Sequence, residues 1–180
     1  MGRKDIKVQR WASYSLGIIF FVLSSQNLVS SPIDHHQERF EDVALKIWEY
    51  AELGYLEEKS SGLLQQELKD SGFTIQSGVA GIPTAFIAEY NNGGPVLGIL
   101  GEFDALPGLS QQNVPFKTAE GLSSANGHAC GHHLFGAASA WAVVAIKDWL
   151  QESGTPGTIR FYGTPAEEGG SGKVYIARDG

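Results

Sequence analysis

Two short apolar segments bracket one long apolar segment in the middle of this chain, and each short one runs straight into acidic residues. Pro95 to Gly101 reads as a strand that delivers Glu102-Phe103-Asp104-Ala105-Leu106-Pro107 at its carboxyl end, the end at which α/β folds place their chemistry. Thr158 to Thr164 reads as another strand, ending where Pro165-Ala166-Glu167-Glu168-Gly169-Gly170 begins. Between them, His132 to about Leu150 carries Ala137, Ala138, Ala140, Val143, Val144, Ile146 and Trp149, the pattern of a long, mostly buried helix. Gly154-Thr155-Pro156-Gly157 stops it.

Upstream, Phe40, Val43, Ala44, Ile47, Trp48 and Ala51 recur at three- and four-residue steps and predict an amphipathic helix over 37–53. Ser60 is placed to cap a second helix with a stripe of Leu63, Leu64 and Leu68, ending near Gly72. The intervening Glu52, Glu57 and Glu58 read as a solvated turn. Thr84 to Tyr90 reads as a strand, and Asn91-Asn92-Gly93-Gly94 joins it to the strand at Pro95, which suggests an antiparallel hairpin. Leu109 to Ser124 shows no helical or strand period. These elements add up to an α/β sandwich, a mixed sheet flanked by helices.

A chain of 180 residues fits one domain, or one domain plus an appendage. A net charge of −7 argues against a nucleic-acid partner, which would call for a basic patch. Residues 1–10 carry four cations, and Trp11 to Leu23 follows without a charge, the layout of a secretory signal. Thirteen uncharged residues are short for a membrane span, which needs roughly 17–25. The expectation is an exported protein, with 1–31 as signal peptide or anchor plus linker and 32–180 as the folded part.

The chemistry concentrates in Gly127-His128-Ala129-Cys130-Gly131-His132-His133 and in the Glu167-Glu168 pair. The single cysteine cannot form an intramolecular disulfide, so Cys130 is a packed apolar residue, a nucleophile or a ligand. Cys130 and His132 stand two apart on the turn entering the long helix, where both could reach one ion. The helix N-terminus there favours the thiolate. His128 and His133 read as hydrogen-bonded neighbours or surface residues. Two adjacent glutamates held between Pro165 and Gly169 point in different directions. One carboxylate can bind a metal while the other stays free as a general base, the division that metal-assisted hydrolysis requires. Two decoys fall away. Gly169-Gly170-Ser171-Gly172-Lys173 lacks the residues a Walker loop needs at Glu167 and Val174. A cysteine hydrolase would leave Glu167-Glu168 idle, with His132 too close in sequence to be the usual base.

With these residues in place, the sequence resembles the M20 metallopeptidase family, in its amidohydrolase branch and most closely the aminobenzoyl-glutamate hydrolase type. The likeness runs from about Gln37 to Gly180. It rests on Ala51-Glu52-Leu53-Gly54-Tyr55, Gly101 to Pro107, Gly127 to His133 and Thr164 to Gly172. The resemblance implies a zinc-peptidase-like catalytic domain, of which this chain is expected to be the N-terminal part. It makes Cys130, His132 and Glu168 metal ligands, Glu167 the general base, and Asp104 an acid supporting the site. His133, with Leu134-Phe135-Gly136, stands for the aminobenzoyl-glutamate or dipeptide-cleaving subgroup. Two divalent ions, zinc or manganese, a small amide or dipeptide substrate and a homodimer at full length are further implications. The family carries later histidine ligands and an inserted domain, and here no histidine follows His133. A non-catalytic remnant that binds or pairs is therefore the alternative, and an apolar sheet face is expected to stand uncovered.

Overall fold

In a computed structural model of the protein, the residues described are 34–116 and 125–180. The expected export segment, 1–31, and residues 117–124 lie outside them. Among the described residues no helix is long and apolar enough to cross a membrane.

A 3-10 turn, Asp34–His36, opens into helix α1, Gln37–Tyr50, which buries Phe40, Val43, Ala44 and Ile47. Helix α2, Glu58–Asp70, buries Leu64 and Leu68. Ser60 lies inside α2 and does not cap it. The first-turn donors are taken instead by Glu52, whose carboxylate accepts from Lys59 N at 3.0 Å and Ser60 N at 2.8 Å. Strand β1 (Thr74–Ser77) follows, then β2 (Phe86–Asn91), β3 (Val96–Gly101), the long helix α3 (His132–Ser153), β4 (Thr158–Gly163) and a short helix α4 (Gly172–Asp179). The exposed four-residue β1 carries too little apolar alternation to announce itself in the sequence.

The sheet order is β1-β2-β4-β3, which corrects the expected hairpin. β4 lies between β2 and β3, antiparallel to the first and parallel to the second, with Phe86 opposite Gly163 and Gly101 opposite Gly163 on the other side. Asn92 N donates to Gly157 O and Pro95 O accepts from Thr158 N, so residues 92–95 pass over the start of β4. Positive φ at Gly93 and Gly94 bends the chain there, and a Cβ on Gly94 would lie 2.6 Å from Pro156 O. Parallel partners need a crossover longer than any turn, and α3 supplies it.

The core lies between the sheet and helices α1, α2 and α3, where Phe86, Phe103 and Phe161 meet Leu64, Leu68, Val143 and Val144. Burial of α3 is one-sided: Ala140, Val143 and Val144 are inside, but Ala138, Leu134 and Trp149 face solvent. Gly136 lets α3 approach β3, since a Cβ there would sit 2.6 Å from Glu102 O. That contact places the first residue of α3 beside the carboxyl ends of β3 and β4.

Candidate functional site

Three loci converge where the parallel pair ends. β3 supplies Glu102 and Asp104, β4 leads through Thr164 and Pro165 to Glu167 and Glu168, and α3 begins with His132. Thr164 N donates to Gly101 O at 2.9 Å and extends the pairing past the strands, keeping the two acidic segments in step.

His132 is the hub and is buried. Its Nδ1 lies 2.9 Å from Asp104 Oδ1, and its Nε2 lies 2.9 Å from Glu102 Oε2 and 3.8 Å from Glu167 Oε2. Asp104 is buried as well, and its second oxygen accepts from Glu168 N at 2.9 Å. One carboxylate thus orients the imidazole and the glutamate turn together, the arrangement by which a group behind a metal site sets ring tautomer and direction. Burial, the largest single influence on Asp104, pushes its carboxyl up. The His132 and Glu168 hydrogen bonds, with the histidine's charge, outweigh it and hold the group below its ordinary value. His132 is raised, first by the Asp104 hydrogen bond, with burial opposing and the charges of Asp104, Glu102 and Glu168 assisting.

Two groups of potential ligands share this histidine: Cys130, His132 and Glu168, and Glu102, His132 and Glu167, each with donor atoms within 4.8 Å of one another. The structure therefore brings together all of Cys130, His132, Glu167, Glu168 and Asp104. The Glu168 side chain is 20% exposed and that of Glu167 41%. Buried Glu168 Oε1 has no hydrogen-bond partner among the described residues and faces His132 Nδ1 at 3.9 Å, so a metal ion would offset the burial of that oxygen. Thiolate, imidazole and carboxylate are a donor set that suits zinc, and the added carboxylates admit manganese.

Cys130 is exposed, not packed in the core. Its thiol is pushed up by hydrogen bonding to Glu168, then by burial and by the charges of Glu168, Glu167 and Glu102. These carboxylates outweigh the helix N-terminus, from which a favoured thiolate is expected. His128 is buried with Nε2 3.0 Å from Ile47 O, and its ring lies 5.1 Å from that of His133. Burial, with the neighbouring histidines, lowers both, His133 to about 4. His133 packs against His128 and is not in either ligand group.

Three residues at the site are not singled out by the sequence. Glu102 stands two residues from Asp104 on extended chain, a spacing that puts both on one face and could have signalled it. Lys173, dismissed with the phosphate-loop decoy, bonds Glu102 Oε1. Glu57, read as part of a solvated turn, is fully buried. Its Oε1 accepts from Ala166 N at 2.8 Å and its Oε2 from Thr84 Oγ1 at 3.0 Å. A small cleft of about 190 Å³ opens beside Asp104 and Glu168, walled by Leu53, Tyr55, Pro107 and Gly170. That is below the roughly 300–1,000 Å³ of small-molecule sites, so it admits part of a ligand only.

Comparison with known proteins finds relatives named as hydrolases and peptidases. The profile of Peptidase family M20/M25/M40 matches residues 98–180. The chain is 43% identical over 152 residues to one of the subunits of p-aminobenzoyl-glutamate hydrolase from Escherichia coli (strain K12), covering 84% of this chain and 32% of that protein. It is 32% identical over 165 residues to the Xaa-Arg dipeptidase of Homo sapiens, covering 82% and 34%. The Bacillus subtilis YXEP protein, a dinuclear metal binding peptidase from the M20 family, superposes with a TM-score of 0.67 at 26% identity, covering 81% of this chain and 40% of that one. An aminobenzoyl-glutamate utilization protein from Klebsiella pneumoniae shares the fold with a TM-score of 0.57 at 14% identity, covering 82% and 41%. The chain spans about a third of the length of the curated relatives it matches.

Proposed function

The chain belongs to the M20/M25/M40 peptidase family, and from that membership and the geometry of its site we propose that it works as a metal-dependent amidohydrolase. The bond cleaved is the amide of an N-acyl or aminoacyl amino acid. Likeness to the p-aminobenzoyl-glutamate hydrolase polypeptide at 43% identity supports aminobenzoyl-glutamate as the first substrate to try, with dipeptides next.

The observation that carries this reading is the division within one glutamate pair. Glu168 turns inward toward Cys130 and His132, while Glu167 stays open to solvent on the Nε2 side of His132. Cys130, His132 and Glu168 would hold a divalent ion, zinc or manganese. Two ions are what the family resemblance implies, and Glu102 is the further carboxylate at hand, 2.9 Å from His132 Nε2. The ion, when bound, supplies Lewis-acid chemistry: it lowers the pKa of a water and polarises the scissile carbonyl. Glu167 takes the proton of the attacking water and returns it to the leaving amine nitrogen, one carboxylate serving as base and then as acid. Asp104 keeps the His132 ring and the Glu168 backbone in register through its two oxygens.

The test is hydrolysis of p-aminobenzoyl-glutamate, and of dipeptides, by protein loaded with zinc or manganese, alongside Glu167→Gln. The variant should retain its metal content and lose turnover by about 10²–10⁴-fold, the usual worth of a general base. Metal lost with Glu167→Gln would make Glu167 a ligand. A loaded protein without amidase activity would leave the ancestry standing and remove the activity.

A further inference from the structure

The segment between α1 and α2, Ala51 to Glu57, touches both acidic loops of the site. Glu52 O accepts from Ala105 N at 2.8 Å, and Leu53 pairs with Ala105 as an isolated bridge. Gly54 lies so close to the glutamate turn that a Cβ would be 2.9 Å from Ala166 Cα. Tyr55 donates its hydroxyl to Gly170 O, and Glu57 Oε1 accepts from Ala166 N. The strap thus holds the loop after β3 by its backbone and the loop after β4 by its side chains.

Ala166 is where this matters. It sits in the left-handed region at φ 56° and ψ 46°. A non-glycine residue in that conformation is strained by about 1–3 kcal/mol and persists only where its surroundings over-determine it. The bend at Ala166 turns the chain after β4. Beyond it, Glu168 N meets Asp104 Oδ2, and Glu167 approaches His132 Nε2. The buried Glu57 carboxylate is the acceptor for the Ala166 N–H, and its other oxygen is occupied by Thr84 Oγ1.

We propose that Glu57 is a positioning residue: its carboxylate clamps the Ala166 N–H and so fixes the turn that aims Glu167 and Glu168. The catalytic half of this inference rests on the roles given above to those two glutamates; the clamp itself does not. A glutamine at position 57 can still accept from Ala166 N through its carbonyl oxygen while its amide donates to the Thr84 hydroxyl. A leucine there fills the space and offers no acceptor.

The experiment joins site-resolved amide exchange with kinetics on manganese-loaded protein, for the wild type, Glu57→Gln and Glu57→Leu. In the wild type the Ala166 amide should exchange slowly although it belongs to no strand or helix. Glu57→Leu should speed exchange at Ala166 and Glu168 by roughly tenfold or more, with the Phe161 amide of β4 unchanged. With p-aminobenzoyl-glutamate, kcat should fall by about 100-fold and KM by less than about threefold, the mark of misplaced catalytic groups. Glu57→Gln should restore both readouts. Fast exchange at Ala166 in the wild type overturns the clamp without any variant. Unchanged exchange in Glu57→Leu overturns it too, as does loss at Phe161 together with Ala166, which marks a merely structural role. Loosened exchange with kcat intact overturns the positioning role. A wild type that hydrolyses nothing defeats the proposed function instead, and the exchange measurements still decide the clamp.

Discussion

Glu57 is a carboxylate taken wholly out of water and given only neutral partners: Ala166 N, Thr84 Oγ1 and its own backbone N–H. Burial pushes its pKa above the ordinary 4.5, the hydrogen bonds pull back, and the negative Asp104 nearby pushes further up. Between 4.5 and the raised folded value, the native state holds a proton that the unfolded chain has released. Stability therefore falls as pH rises through that window, and the cost is fully present above it. A glutamine keeps the Ala166 bond, reverses the Thr84 bond by donating to its hydroxyl, and carries no charge to bury. Glu57→Gln should thus unfold at a higher temperature than the wild type at pH 7, with the gap closing as pH falls through that window and gone below about 4, where the carboxyl is protonated in both states. Thermal unfolding by circular dichroism across that range checks it. A gap that stays constant with pH would mean that Glu57 does not titrate on unfolding.

At the scale of elements, the site depends on how closely α3 lies against the end of β3. Glu102 follows β3, His132 opens α3, and their 2.9 Å approach is set where Gly136 meets the Glu102 carbonyl. Gly136→Ala would put a methyl 2.6 Å from that oxygen, so helix and strand must part. Overpacking of this kind costs about 1–3 kcal/mol, and here the displaced groups are a candidate ligand pair. Calorimetry should show the lower Tm, and titration with manganese a weaker affinity than wild type. Unaltered affinity would mean that the helix adjusts elsewhere. The same elements show what the sequence makes legible. Each of the three strands it announces, and each long helix, exists because its apolar spacing reports a local period. The pairing of β3 with β4 is not local: Gly101 and Gly163 meet across α3, while the short turn at Asn91–Gly94 mimics a hairpin. Cys130, His132, Glu167 and Glu168 are legible because they sit in dense clusters of chemically able residues. Glu57 is not, since a glutamate in a polar turn looks solvated until the loop after β4, over 100 residues away, closes on it.

Among the described residues the sheet is covered unevenly. Helices α1, α2 and α3 contribute to the core on one side of the sheet, and α4 lies toward the other, where Ile176 and Asp179 share a cleft with Ile87, Glu89, Arg160 and Tyr162. The register puts Gly98 beside Arg160 and Leu100 beside Tyr162, so by strand alternation Val96 and Leu100 share that outer face. Val96 is 55% exposed, Leu97 51% and Leu100 47%, on a strand at the sheet edge. An apolar edge strand is a template for association, and a charge on it is the usual safeguard. Side chains this open contribute little to folding, so the two properties can be separated. Leu100→Lys should leave the unfolding free energy within about 0.5 kcal/mol of wild type, while light scattering on heating begins at a higher temperature or protein concentration. If the substitution instead costs several kcal/mol, Leu100 is packed, and the outer face of β3 is more closed than its exposure indicates. If stability holds and scattering is unmoved, the association runs through another surface, and the exposed α3 residues Leu134 and Phe135 become the next positions to charge.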